Sequence, residues 1–437
     1  MANRQMKYLA ILAAALIVPA CTGRPPPRET TPDPSLATPQ IIPAVTPLIP
    51  VTAGIFPIPP EIEPQVAFWR KVYGSWSRSQ VVLHDNRYLN LIYEVVDLPG
   101  AIDEDYTPLQ QELLRQRRSF WQARLGDLER KLASGGPLDS NDKGLAAHIA
   151  KNTLSDAALY GTGERLHAQR GLRERFKRGL EISGRYDRAM RNVFRQAGLP
   201  EDLAYLPHVE SSFQASARSS AGAVGIWQFT LSAAHTFMNV NAALDERLDP
   251  VAAARGAARY LSYAYNKLGS WPLALTSYNH GIGGMQRAKD AFGHDFIRIV
   301  KHYDHPQFGF ASRNFYAEFL AARQIASRPE QFFPEGIAYD KPLDWDRVIL
   351  RTEVPVSVVA RYYGAEKWQL IALNLAWTEA AKADRVPLPA GAEVWLPPGT
   401  LRRVAQDTAS HSPLAQSTPR LASVAGVQKV NGSIRIK

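Results

Sequence analysis

The sequence predicts a mainly α-helical protein with a small α/β module near its C-terminus. Two patterns carry this expectation. Apolar residues recur every three or four positions through much of the chain, and beyond residue 345 short apolar runs follow a strand, helix, helix, strand order. Composition agrees: hydrophobic residues make up 45% and charged residues 21% of 437 positions, which excludes wholesale disorder. At roughly 150 residues per domain, about three units are expected. A single cysteine excludes an intramolecular disulfide and any multi-cysteine metal site. Fifty-one Lys+Arg against 41 Asp+Glu leave a net charge of +10, which favours anionic partners. Nucleic acid, anionic lipid and an acidic wall polymer all fit that charge.

Residues 1–20 read as a lipoprotein signal peptide. Arg4 and Lys7 precede an apolar run from Tyr8 to Val18, well short of the ~20 residues that span a bilayer. The segment Leu16-Ile17-Val18-Pro19-Ala20-Cys21 resembles the lipobox of bacterial lipoproteins. That resemblance implies acylation of Cys21, with each buried methylene of the acyl chains contributing about 0.8 kcal/mol to membrane anchoring. A buried or incidental thiol is the alternative. Thr22, where an aspartate would favour retention in the inner membrane, implies the periplasmic side of the outer membrane. Thirteen of the 32 prolines lie between Pro25 and Pro64, so residues 21–64 read as a semi-rigid tether.

Residues 65–195 read as a helical region. Phe68, Trp69, Val72, Tyr73 and Trp76 have helical spacing, and Thr107-Pro108 suits the start of a long amphipathic helix that Gly135-Gly136-Pro137 stops. Leu109, Leu113, Trp121, Leu125, Leu128 and Leu132 line one of its sides. Between Arg165 and Arg195 ten basic residues and three acidic ones interleave with apolar positions, which fits two helices separated near Ser183-Gly184. A nucleic-acid patch is the rival reading of that run, but the apolar spacing makes it a solvated helix face, and no nucleic-acid partner is expected.

Candidate chemistry concentrates in residues 196–330. Leu203, Leu206 and Phe213 share a helical stripe with Glu210. A carboxylate facing a core is costly to ionise, so burial keeps it protonated and able to act as a general acid. On spacing alone, a core glutamate held in an ion pair is the simpler reading. Two further clusters add weight. Ser219 to Phe229 combines small residues with Trp227 and Gln228, and Ala274 to Gly281 supplies Tyr278 and Asn279. Aromatic rings can cover the face of a pyranose, while amides both donate to and accept from its hydroxyl and acetamido groups.

These three clusters occur in order, together with Leu244-Asp245-Glu246-Arg247-Leu248-Asp249-Pro250 and Ala257-Ala258-Arg259-Tyr260-Leu261. In them the chain resembles the lytic transglycosylase family with a lysozyme-like domain, of the membrane-bound lytic murein transglycosylase D-like type. The likeness runs from about Arg165 to Arg323. It implies a mainly α-helical lysozyme-like domain that cleaves the MurNAc–GlcNAc bond of peptidoglycan without adding water. Glu210 matches the family's catalytic glutamate; Gln228, Tyr278 and Asn279 match groove residues, with Trp227 helping to orient the glycan. Ser211 matches the serine after the glutamate, and Ser219 the one before the Ala-Gly-Ala turn. The resemblance implies no metal, nucleotide or other cofactor. His280 departs from the family's usual alanine, and His208 lies two residues before Glu210.

Asp245, Glu246 and Asp249 offer a second carboxyl for a hydrolase, but such a string more often caps a helix and forms local ion pairs. Residues 345–400 resemble a divergent LysM module, through Tyr362, Tyr363, Gly364, Leu370, Asn374 and the Pro389-Ala390-Gly391 turn before Trp395-Leu396-Pro397. Residues 401–437 are polar and without periodicity, and read as a disordered tail. Peptidoglycan glycan strands are the expected partner, with the membrane held through Cys21. Two other functions fit the same residues: a lysozyme-type hydrolase, and a non-catalytic wall-binding scaffold.

Overall fold

The computed structural model describes residues 54–153, 155–410, 428–430 and 433–435. The expected signal peptide, Cys21 and most of the expected tether lie outside the described residues. Helices dominate, as expected, and they bury three apolar cores.

The first part of the chain departs from the sequence expectation in three places. The folded body begins within the expected tether: Phe56 sits against Trp271 and Phe319, with ring centroids 5.7 and 5.1 Å away. The Tyr316 hydroxyl donates to the Pro57 carbonyl at 2.9 Å. Proline favours extended chain, but extended chain can still be laid over a core. Helix α1 (Glu63–Gly74) follows, burying Val66, Phe68, Trp69, Val72 and Tyr73.

The second departure is a three-stranded antiparallel sheet in the region read as helical. Strands β1 (Gln80–Asp85), β2 (Ile92–Asp97) and β3 (Leu166–Arg170) are ordered β2-β1-β3. Strand β1 is buried on both faces, with Val81 and Leu83 in one core and Val82 in another. It therefore lacks the apolar–polar alternation by which a strand is read. Between β2 and β3 run α2 (Pro108–Ser134) and α3 (Ser140–Thr153). Helix α2 starts on a Thr107–Gln110 capping box and ends at Gly135 in the left-handed region, as the turn residues require.

The third departure concerns the basic run. Helix α4 (Arg173–Gln196) is continuous through Ser183-Gly184. The Ser183 hydroxyl donates back to the Leu180 carbonyl, and a Cβ on Gly184 would stand 2.7 Å from the Asp340 carbonyl oxygen. The glycine permits a close approach there and does not break the helix.

Helices α5 (Leu206–Glu210), α6 (Leu231–Phe237), α7 (Pro250–Leu268), α8 (Trp271–His280), α9 (Ile282–Phe292), α10 (Phe296–His302) and α11 (Phe310–Ser327) surround the main core. Alanines along α7 let its neighbours approach, and α11 lies against α1, α5 and α8. Strand β4 (Asp346–Ile349), helices α12 (Val356–Tyr362), α13 (Lys367–Leu373) and α14 (Glu379–Lys382), and strand β5 (Glu393–Leu396) form the small α/β module. The expected tail is partly ordered. Helix α15 (Thr400–Ser410) sets Leu401 and Val404 against the module's core. Strands β6 (Gln428–Val430) and β7 (Ser433–Arg435) extend its sheet in the order β5-β4-β7-β6.

Candidate active site

Glu210 is the last residue of α5, a short helix that Pro207 begins rather than kinks. The chain then turns through two left-handed, non-glycine residues, Ser212 (φ 50°) and Phe213 (φ 58°). Such backbone costs on the order of 1–3 kcal/mol per residue and persists only where its surroundings fix it. Here the surroundings do: Phe213 is buried, and Gly179 of α4 lies so close that a Cβ there would meet the Ser212 carbonyl at 3.0 Å.

Ser211 is buried, and its hydroxyl donates to the Ile226 carbonyl at 2.8 Å. This bond joins the Glu210 turn to the Ser219–Phe229 loop. The loop folds on itself, with the Ser219 hydroxyl accepting from the Ala223 N–H at 3.0 Å. Its Gln228 amide donates to the Gly225 and Ala217 carbonyls at 2.8 and 3.2 Å. Gly225 has φ 76°, and a Cβ there would overlap the Arg247 carbonyl. On α8, the Tyr278 hydroxyl donates to the Trp227 carbonyl at 2.9 Å, which closes the connection from Glu210 through the loop to α8. Asn279 is exposed, and its carbonyl oxygen accepts from the Ser312 hydroxyl at 2.7 Å.

Two predicted contact residues take other roles. Trp227 is fully buried, and its indole N–H donates to the Pro250 carbonyl at 3.1 Å. It has no face to offer a sugar and acts as core. Ser211 is likewise spent on fastening the loop. Gln228, Tyr278 and Asn279 retain some exposure.

The structure adds a carboxyl that sequence reasoning missed. Glu318, on α11, lies close enough to Glu210 to raise its pKa, second only to burial, which pushes Glu210 well above the usual carboxylate range. Burial also lifts Glu318, to about 8, despite the Tyr73 hydroxyl donating to it at 3.4 Å. Burial first, and then the charge of Glu210, holds the Tyr278 phenol well above 10. Among the described residues no basic side chain pairs with Glu210 or Glu318. The pair sits among phenols, where two anions close together are unfavourable, so burial and mutual repulsion both favour the protonated carboxyls. Glu210 is only partly covered.

The other flagged groups are structural. Asp245 pairs with Arg247 at 2.8 Å, and Glu246 accepts from Asn239. Asp249 caps α7 through the Val251 and Ala252 N–H groups at 2.9 and 2.7 Å. His208 is buried between Phe176 and Phe213, and a His280 ring nitrogen lies 3.2 Å from the Gln307 carbonyl.

Residues 193–299 match the family model of the transglycosylase SLT domain. Through these residues the chain is similar to the transglycosylase SLT domain, and the matched segment is helical in the structure. Membrane-bound lytic murein transglycosylase D of Escherichia coli K12 is 34% identical over 97 residues, 22% of this chain and 21% of that protein. The same protein from Escherichia coli O6:H1 matches equally. A protein of Alteromonas sp. (strain M-1) named "Putative tributyltin chloride resistance protein" is 36% identical over 92 residues, 21% of this chain and 44% of that protein. The matched stretch spans less than half the length of each of these relatives.

Proposed function

We propose that the chain is a peptidoglycan lytic transglycosylase, cleaving the MurNAc–GlcNAc β-1,4 bond and leaving a 1,6-anhydroMurNAc end. The observation that carries this reading is the placement of Glu210, partly covered, beside Glu318 and with no basic side chain paired to it among the described residues, where burial and Glu318 both favour its protonated form. Glu210, holding its proton, gives it to the bridging oxygen as the C1–O bond breaks. The MurNAc acetamido carbonyl supports the positive charge that develops at C1. Glu210, now an anion among phenols, takes the proton of the MurNAc C6 hydroxyl, whose oxygen bonds C1 and closes the ring. The glutamate is thereby reprotonated, and no water is consumed.

Gln228 and Asn279 orient the glycan, and Tyr278 orders the wall behind Glu210. Attachment through a lipidated Cys21 at the outer membrane, and glycan binding by the LysM-like module, belong to the same proposal and rest on sequence pattern alone.

Glu318 weighs against the hydrolase reading. Glycosidases that use two carboxyls need one of them ionised, as base or nucleophile. A carboxyl lifted to about 8 is mostly protonated at neutral pH and supplies neither. The test is digestion of purified sacculi by wild type and a folded Glu210→Gln variant, with fragments identified by mass spectrometry. Wild type should release ends one water lighter than hydrolysis products, and the variant should lose about 10²–10⁴-fold in rate. Reducing, hydrated ends from wild type would assign a hydrolase instead, and undiminished cleavage by the variant would remove Glu210 from the chemistry.

A further inference from the structure

A basic cavity of about 350 Å³ lies away from Glu210, between the turn after β1 and the junction of α10 with α11. Arg87, Arg165, Lys301 and Arg313 line it, with Asp304 the one carboxylate in the lining. A larger cavity of about 750 Å³ shares Arg87, Lys301 and Arg313 with it and continues past the start of α1.

The way these cations are held matters more than their number. Arg87 donates to the Lys301 carbonyl at 2.6 Å. Arg313 donates to the Val300 and Tyr303 carbonyls at 2.6 and 2.9 Å. Arg165 donates to the Ala158 and Tyr160 carbonyls at 2.7 and 2.5 Å and pairs with Asp85 at 2.8 Å. Backbone carbonyls fix a guanidinium in place without cancelling its charge. Counting Asp85 and Asp304 against four cations leaves the cavity at +2. Arg87 and Lys301 are exposed, and among the described residues no carboxylate pairs with either. Burial and then the nearby charge of Arg87 lower the pKa of Arg313, and the Asp304 carboxylate only partly offsets them.

Helix α11 carries residues of both the cavity and the candidate active site. Ser312, which fixes Asn279, is followed by Arg313, which lines the cavity. We propose that this cavity binds carboxylates of the short peptides carried by peptidoglycan strands, so that the enzyme engages glycan at Glu210 and a stem peptide on the other side of α11. The proposal rests on the transglycosylase reading for its choice of polymer. Each stem peptide brings free carboxylates to the strand, and a carboxylate meets fixed guanidinium groups with charge-assisted hydrogen bonds.

The test uses the full chain and an Arg87→Ala/Lys301→Ala variant, both positions being exposed. Co-sedimentation is measured with intact sacculi and with sacculi whose carboxyls have been capped as methylamides by a carbodiimide and methylamine. The variant should bind intact sacculi about tenfold more weakly, with a shallower salt dependence, and bind capped sacculi as wild type does. Equal binding of intact sacculi by the two proteins overturns the proposal, as does an equal loss on both polymers. Release of anhydro ends from the capped sacculi is scored separately. Its absence in wild type would count against the transglycosylase reading while leaving the binding comparison intact.

Discussion

A carboxyl beside a second carboxyl, walled by phenols and without a cation, resists losing its proton. Removing the second carboxyl should therefore change the acidity of the first. In Glu318→Gln the neighbouring charge is gone, so the Glu210 pKa falls and the alkaline limb of the pH–rate profile should move to lower pH, with the plateau rate reduced less than in Glu210→Gln. An unmoved limb would mean that the two groups do not communicate. The same variant has a stability signature. The folded-state pKa of Glu318 is raised to about 8, so the unfolded chain gives up this proton first. The stability it contributes is complete below the unfolded value near 4.5 and is lost as pH rises towards about 8. Glu318→Gln should thus match wild type in melting temperature near pH 4.5 and exceed it by several degrees at pH 8, in thermal denaturation followed across that range.

At the scale of elements, the Glu210 turn, the Ser219–Phe229 loop and the start of α7 act as one unit, and Asp249 fastens it to the C-terminal module. One Asp249 oxygen caps α7 while the other accepts the Trp395 indole N–H at 2.6 Å. Arg255 reinforces the joint by pairing with Glu393 at 2.7 Å. Asp249→Ala should cost about 2–4 kcal/mol by denaturant unfolding, because it removes a cap and strands a buried indole donor. Trp395→Phe keeps the cap and should cost clearly less; equal costs would place the effect in the Asp249–Trp395 bond and none of it in the cap. Much of this unit was legible in the sequence because its signals are local. Asp249 precedes Pro250 in a helix start, and Glu210, Gln228 and Tyr278 each sit in a short stretch of suggestive neighbours. What was hidden depends on contacts between distant segments. Glu318 occupies an ordinary amphipathic helix, and only packing of α11 against α5 brings it to Glu210. The β1 to β3 sheet was missed because β1 is buried on both faces and β3 lies in an arginine-rich run. Trp227 shows a related limit: its residue type suits a sugar platform, while the fold turns its ring into the core.

Across the whole molecule, buried histidines oppose these carboxyls in their response to pH. His84 packs against Phe68 and Phe310, and burial holds its pKa down to about 3. His208 stacks on Phe176 and is likewise lowered to about 3, again mainly by burial. His167, stacked on Phe310, is lowered to about 4 by burial and, to a lesser degree, by Arg118. For each, the unfolded chain binds a proton near pH 6.5 that the folded chain refuses, so the stabilising contribution is full above 6.5 and drains away as pH falls towards 3–4. At pH 5 that amounts to about 2 kcal/mol for a fully buried histidine. Glu210 and Glu318 push the other way, their penalty growing as pH rises above 4.5. Stability should therefore peak between these regimes, on the mildly acidic side of neutrality, and fall on both flanks. His208→Phe, which keeps the ring stack and removes the titrating group, should flatten the acid flank specifically: its melting temperature relative to wild type should rise by several degrees between pH 7 and pH 4.5. A parallel decline in the two proteins would show that the acid sensitivity originates elsewhere, with His84 as the next residue to replace.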